Sequence, residues 1–162
     1  MHDSRLVANH FIQRAENPLT ALQVIKLVYI AHGWMLGLYD RELINQKVKA
    51  WKHGPVIPEL YESVRKFRGS PIDMTLEVPV KEIKELHHLE DDLINQVTEK
   101  YSQLSGIVLS QITHQLGTPW HEVYKQDSDT EIPNSMIREY YHNKHTMHQN
   151  SGITRMTQIN SE

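Results

Sequence analysis

The stretch TALQVIKLVYIAHGWML, residues 20–36, constrains the fold more than any other part of the chain. Thr20 followed by Gln23 makes a capping box, the signature of a helix start. Leu22, Ile25, Val28, Tyr29, His32, Met35 and Leu36 then recur at three-four spacing and lay down a broad apolar stripe. Leu27, Ile30 and Ala31 fall off that stripe and are apolar too, so this helix needs cover on more than one side. It is expected to be the central helix. No window is expected to span a membrane, and the polar residues spaced through MHDSRLVANHFIQRAE leave no apolar core for a secretory signal. The chain is therefore expected to stay in the cytosol.

What can surround such a helix is bounded by length. A chain of 162 residues builds one domain with a real core, and is too short for two ordinary ones. Hydrophobic residues make up 39% and charged residues 23%, the balance of a globular protein. Cysteine is absent, which removes disulfides, thiol catalysis and Cys-based zinc sites, and leaves His, carboxylate and hydroxyl groups for any chemistry. The net charge of −3 is weak support for a general nucleic-acid binder. Residues 47–68 nevertheless hold six Lys or Arg against two Glu, a local +4 that leaves −7 elsewhere. That run is either a positive patch or a solvated surface.

The periodicity predicts further helices over 3–16, stopped by Asn17-Pro18, and over about 90–104, 107–116 and 134–145. Val48 and Ala50 alternate with Lys47 and Lys49 as in a short strand, which His53-Gly54-Pro55 ends. Gly54 tolerates backbone angles closed to other residues, and a proline, Pro55 or Pro58, suits a helical first turn. Leu60, Tyr61, Val64 and Phe67 then form the face of a helix ending at Gly69, so WKHGPVIPEL reads as a strand-to-helix joint. A second short strand is expected near 76–80, at a sheet edge because of Pro79, and 128–133 as a loop. The fold class is mainly α: a single helical domain over 1–145 with a two- or three-stranded β element, then a flexible tail over 146–162.

Two places concentrate unusual residues. One is Trp51-Lys52-His53-Gly54-Pro55; the other runs from Thr113-His114 through Gly117 to Pro119-Trp120-His121. If they meet, they form a rigid aromatic-lined depression with polar rims, the composition of a binding hot spot. The plainer alternative is that each Trp is core and each His satisfies a backbone group. The candidate partner-binding residues are Lys49, Trp51, Lys52, His53, Arg65, Arg68, His114 and Trp120. Gly54, Pro55, Pro58 and Pro119 are the structural ones.

Catalytic signatures are missing: no Ser-His-Asp context, no glycine-rich phosphate loop and no His-Glu-x-x-His helix occurs. Neither a catalytic residue, a cofactor nor a metal site is expected. A metal-assisted hydrolase built on His53, His114 and His121 is the weakest alternative, since His114 and His121 are seven apart and would need a turn and a carboxylate such as Glu122. His142, His145 and His148 rotate around a helix instead of aligning. Arg65, Lys66 and Arg68 raise a DNA-binding regulator as another alternative, although cations there also complement a helix dipole.

Three blocks in one order carry a family likeness: LQVIKLVYIAHGWMLGLYDRELI, KAWKHGPVIPELYESVRKFRG and SQITHQLGTPWHEVY. Together they resemble the Panacea domain, the SocA-like antitoxin-associated family of bacteria and their phages, from about residue 4 to 145. The resemblance implies a mostly helical domain with a small β element that neutralises a toxin by protein contact, in some members helping present the toxin to a protease. It carries no catalytic residues. The expected partner is thus a protein, a toxin or a host factor, with nucleic acid second and no membrane. A phage-encoded modulator of a host protein is the nearest variant.

Overall fold

The Asp3 carboxylate accepts the Arg5 N–H at 2.9 Å and opens the first helix, α1 (Ser4–Arg14). From there the computed structural model describes residues 1–150. In chain order follow α2 (Ala21–Tyr39), β1 (Val48–Trp51), β2 (Gly54–Val56), α3 (Pro58–Val64), α4 (His88–Tyr101), α5 (Gly106–His114), α6 (Pro119–Val123), β3 (Thr130–Ile132) and α7 (Asn134–Asn150). The fold is mainly α with one small antiparallel sheet, as the sequence implies.

The capping box forms as expected: Thr20 Oγ1 accepts the Gln23 N–H at 3.3 Å and Gln23 Oε1 accepts the Thr20 N–H at 2.9 Å. From Val24 to Gly37 every residue of α2 is buried, because α1, α3, α4, α5, α7 and β2 all pack on it. Contrary to expectation, this 19-residue helix is long and apolar enough to cross a membrane by length and composition, with a mean hydropathy of 1.4. Protein covers 83% of that window, so its apolar area is spent on the core. Helix α7 is its main partner. A Cβ on Gly37 would lie 2.7 Å from the His142 backbone nitrogen, so only glycine admits this approach. Trp34, fully buried, sets its indole edge-on to Tyr141 at 5.0 Å and donates to the Tyr101 hydroxyl at 3.3 Å.

His32 shows how a buried polar group is satisfied. Its Nδ1 accepts the N–H groups of Leu43 and Ile44 at 3.3 and 3.4 Å, so Nε2 carries the proton and donates to Asn134 Oδ1 at 2.9 Å. Burial holds this imidazole below its ordinary pKa, and therefore neutral.

Three expectations about the β element change. The strand-to-helix joint is instead a hairpin: β1 pairs antiparallel with β2, Trp51 facing Gly54 across the Lys52-His53 turn. Pro55 is tolerated because β2 is an edge strand in the order β2-β1-β3. No strand forms at 76–80. Asn9 of α1 takes both backbone groups of Leu76 through its side-chain amide, at 2.6 and 2.9 Å, and Pro79 has no N–H to offer a ladder. The third strand is β3, inside the stretch expected to be a loop, where Val48 faces Ile132 and Ala50 faces Thr130. Three residues are too few to show a period.

Other boundaries shift less. Helix α3 stops at Val64 and tightens into a 3₁₀ turn over Arg65–Phe67, and Arg68 takes the positive φ of 54° expected of a glycine. Helix α7 runs past 145 to Asn150, and the rest of the proposed tail lies outside the described residues.

Candidate functional site

The two tryptophan-bearing corners meet. Trp120 Nε1 donates to the Trp51 carbonyl at 2.6 Å. This is one of three similar ties: Ser110 Oγ donates to the His53 carbonyl at 3.0 Å, and Lys26 Nζ to the Pro55 carbonyl at 2.8 Å. Side chains from α6, α5 and α2 thus hold alternate carbonyls of the hairpin. The Pro55 tie is buried and satisfies a backbone acceptor that would otherwise be left unpaired, while the other two are partly buried. Short helices supply two of the three donors, and each is started by its own cap. Ser105 Oγ accepts the Val108 N–H for α5, while Thr118 Oγ1 accepts the His121 N–H for α6 with Pro119 next in line.

Gly54 is required here twice over. Its φ is +116°, a region closed to residues with a Cβ, and a Cβ would stand 2.8 Å from the Lys26 ammonium nitrogen. The missing side chain is the space that the ammonium occupies.

Beside the hairpin lies a cleft of about 630 Å³. Lys26, Gly54 and Val56, all buried, form its floor; half-buried Trp51, Tyr61 and Tyr124 with Leu22 form its walls; exposed Lys52, His53, Gln126 and Asp127 stand at its rim. The walls are stiff. Trp51 meets Tyr61 edge-on at 5.4 Å, and its indole N–H donates to Asp129 Oδ1 at 2.8 Å. Tyr124 stacks on Trp120 at 4.5 Å, and His114 meets the same indole edge-on at 5.2 Å. The Trp51 hydrogen bond, and then the nearby Lys49, hold the Asp129 carboxyl below the usual carboxylate range. Burial pushes the Lys26 ammonium down to about 7.

Of the eight candidate binding residues, Trp51, Lys52 and His53 line the cleft. Trp120, only 9% exposed, and half-buried His114 brace it from within. The basic residues scatter. Lys49 pairs with Asp129 at 3.5 Å, Lys47 with Glu131 at 3.6 Å, and Arg65 with Glu62 at 3.6 Å, while Arg68 is exposed outside the cleft. Two acids from the β3 segment therefore halve the local +4 in space, although such exposed pairs stabilise little. Arg65, Lys66 and Arg68 also fall in and after the 3₁₀ turn, beyond a helix of only 7 residues, and form no recognition helix. Among the described residues no three His, Asp or Glu side chains come together to hold a metal ion, and His53, His114 and His121 do not form the set a hydrolase would need.

Four contributors escape the list of candidates: Lys26, Tyr61, Tyr124 and Asp129. Lys26 left one trace in the sequence, a cation inside a helix that is otherwise apolar on all sides. Asp129 left none.

The family model for the SocA-like antitoxins, Panacea domain, matches residues 24–121, from α2 through the hairpin to α6. This chain belongs to that family. The matched span contains all three ties to the hairpin. Antitoxin SocA of Caulobacter vibrioides (strain NA1000 / CB15N) is 30% identical over 131 residues, covering 73% of this chain and 68% of the relative. No solved structure matches. The Panacea match thus spans the hairpin, its three ties and the cleft floor, while Leu22 and the Tyr124–Ser128 side of the cleft lie outside it.

Proposed function

We propose that this chain is an antitoxin that neutralises a protein toxin by direct contact in the cytoplasm, without catalysing a reaction, and that the hairpin cleft is where the toxin docks. The observation that carries this reading is the clamped hairpin: three helices fix its carbonyls, so Trp51 and Tyr61 stand ready before a partner arrives. Docking on a surface already ordered avoids the entropy of arranging it, and an aromatic in a desolvated pocket is the residue type that dominates binding energy. Lys52 at the rim, with Lys49, Arg65 and Arg68 further out, steers the encounter and contributes mainly to its rate.

Co-expression with the product of the adjacent reading frame tests this. The wild type is expected to restore growth and Trp51→Ala to fail while keeping a native circular dichroism spectrum. Full rescue by Trp51→Ala and by Tyr61→Ala alike would remove the cleft from the mechanism, and substrate turnover by the pure protein would remove the non-catalytic reading.

A further inference from the structure

The three ties to the hairpin differ in one respect. Ser110 and Trp120 hold their carbonyls with neutral donors, a hydroxyl and an indole, and neither lines the cleft. Lys26 holds Pro55 with an ammonium and does line it. An ammonium has three donors, and Lys26 uses one. It is 2% exposed, yet no carboxylate among the described residues pairs with it. A charge buried without a counter-ion is costly, and a neutral donor would hold Pro55 at less expense, as the two neighbouring ties show.

We propose that the cleft is a recognition site for a carboxylate side chain, an Asp or Glu of the docking protein, with Lys26 as its counter-ion on the floor and Trp51, Tyr61 and Tyr124 enclosing the stem. The inference rests on the docking role of the cleft and adds what the cleft reads. A chain-terminal carboxylate is usually captured by a nest of backbone N–H groups. Here the backbone atoms tied beside Lys26 are carbonyls, those of His53 and Pro55, so the acid must arrive on a side chain.

The charges that face the site favour an acid that goes deep. Lys52 adds positive charge at the rim, Asp127 opposes it there, and His53, Tyr61, Tyr124 and nearby His114 complete the titratable surroundings. Because burial leaves Lys26 with a pKa of about 7, an entering carboxylate also stabilises its proton. Binding therefore takes up a proton and strengthens as the pH falls through neutrality.

The test uses the full chain, ¹⁵N-labelled, titrated with three N-acetylated tripeptides while the Trp51 indole resonance is followed. They are Leu-Glu-Leu amide, Leu-Gln-Leu amide and Leu-Gln-Leu with a free terminal carboxylate. Near pH 6 the Glu peptide is expected to bind roughly tenfold tighter than the Gln amide, the scale of one charge-assisted hydrogen bond. The preference should shrink near pH 8.5, as Lys26 loses its proton on passing about 7. Lys26→Met should bind the two amides equally, and His53→Gln should keep the preference. If Lys26→Met does not fold, the pH profile of the wild type and of His53→Gln decides. Equal affinities, no binding of the Glu peptide, or a preference that survives in Lys26→Met would overturn the assignment, and tighter binding of the free-terminus peptide would replace the side chain by a chain end. A toxin neutralised by a chain that shows no Glu preference would sink the carboxylate site alone. A Glu-selective cleft in a chain that neutralises nothing would sink the antitoxin reading alone.

Discussion

Two of the cavities on this molecule have nearly equal volumes and are built in opposite ways. The hairpin cleft of about 630 Å³ has a buried floor held by hydrogen bonds from three helices. The second, of about 640 Å³, runs along α7 against residues 115–122 and is lined by Met136, Glu139, Tyr140, Lys144 and Met147. Both contain a lysine. Lys144 rests on the Tyr140 ring at 5.8 Å in a groove that already contains Glu122 and Glu139, whereas Lys26 has no acid on its floor. Volume alone does not distinguish the two. Pre-organisation and an unanswered charge do, and flexible methionines adapt to a partner without selecting one.

The contrast breaks most readily at Gly54. Replacing it with Val sets a Cβ against Lys26 in a backbone region closed to side chains, and should destabilise the fold by roughly 1–3 kcal/mol. An unchanged thermal melt would mean the hairpin gives way more easily than its ties imply. Next comes pH. Because the folded pKa of Lys26, about 7, lies below its ordinary 10.5, the unfolded chain binds more protons between those values, and stability should rise with pH from about 7 to about 9. Lys144, also lowered by burial, adds a rise of the same sign. Tyr101, Tyr29 and Tyr141, raised by burial, reverse the trend once free tyrosines ionise. Melting curves across that range should be flatter for Lys26→Met than for the wild type; parallel curves would mean Lys26 carries its charge at no cost.

Smaller effects sharpen the comparison. Ser110→Ala leaves the His53 carbonyl unpaired and should cost about 1 kcal/mol in urea unfolding. Arg65→Glu, on an exposed side chain outside the cleft, should leave the melt unchanged and slow association with an acidic partner, as stopped-flow mixing would show. A fall in melting temperature for Arg65→Glu would mean that its ion pair with Glu62 matters more than exposed pairs do.

Much of this was legible from periodicity. The capping box at Thr20, the off-stripe residues Leu27, Ile30 and Ala31, and the proline that opens α3 each obey local rules, and each stands where those rules put it. The meeting of Trp51 and Trp120 was legible as a condition, since both blocks join Trp, His, Gly and Pro. The rest depends on residues far apart in sequence. Strand β3 exists because β1 offers it a free edge, and 76–80 fails as a strand because Asn9 takes both backbone groups of Leu76. Two cations of the basic run, Lys47 and Lys49, pair with Glu131 and Asp129, which lie 84 and 80 residues away, and no local count of charge reveals that. Lys26 was visible as a misplaced cation, but its target, a carbonyl 29 residues on, was not.

Amide hydrogen exchange of the chain alone and bound to its toxin separates the two cavities most directly. Added protection is expected at 51–56 and 124–128, with the exposed face of α7 unchanged. Protection confined to α7 and residues 115–122, with the hairpin exchanging as in the free chain, would contradict docking at the cleft.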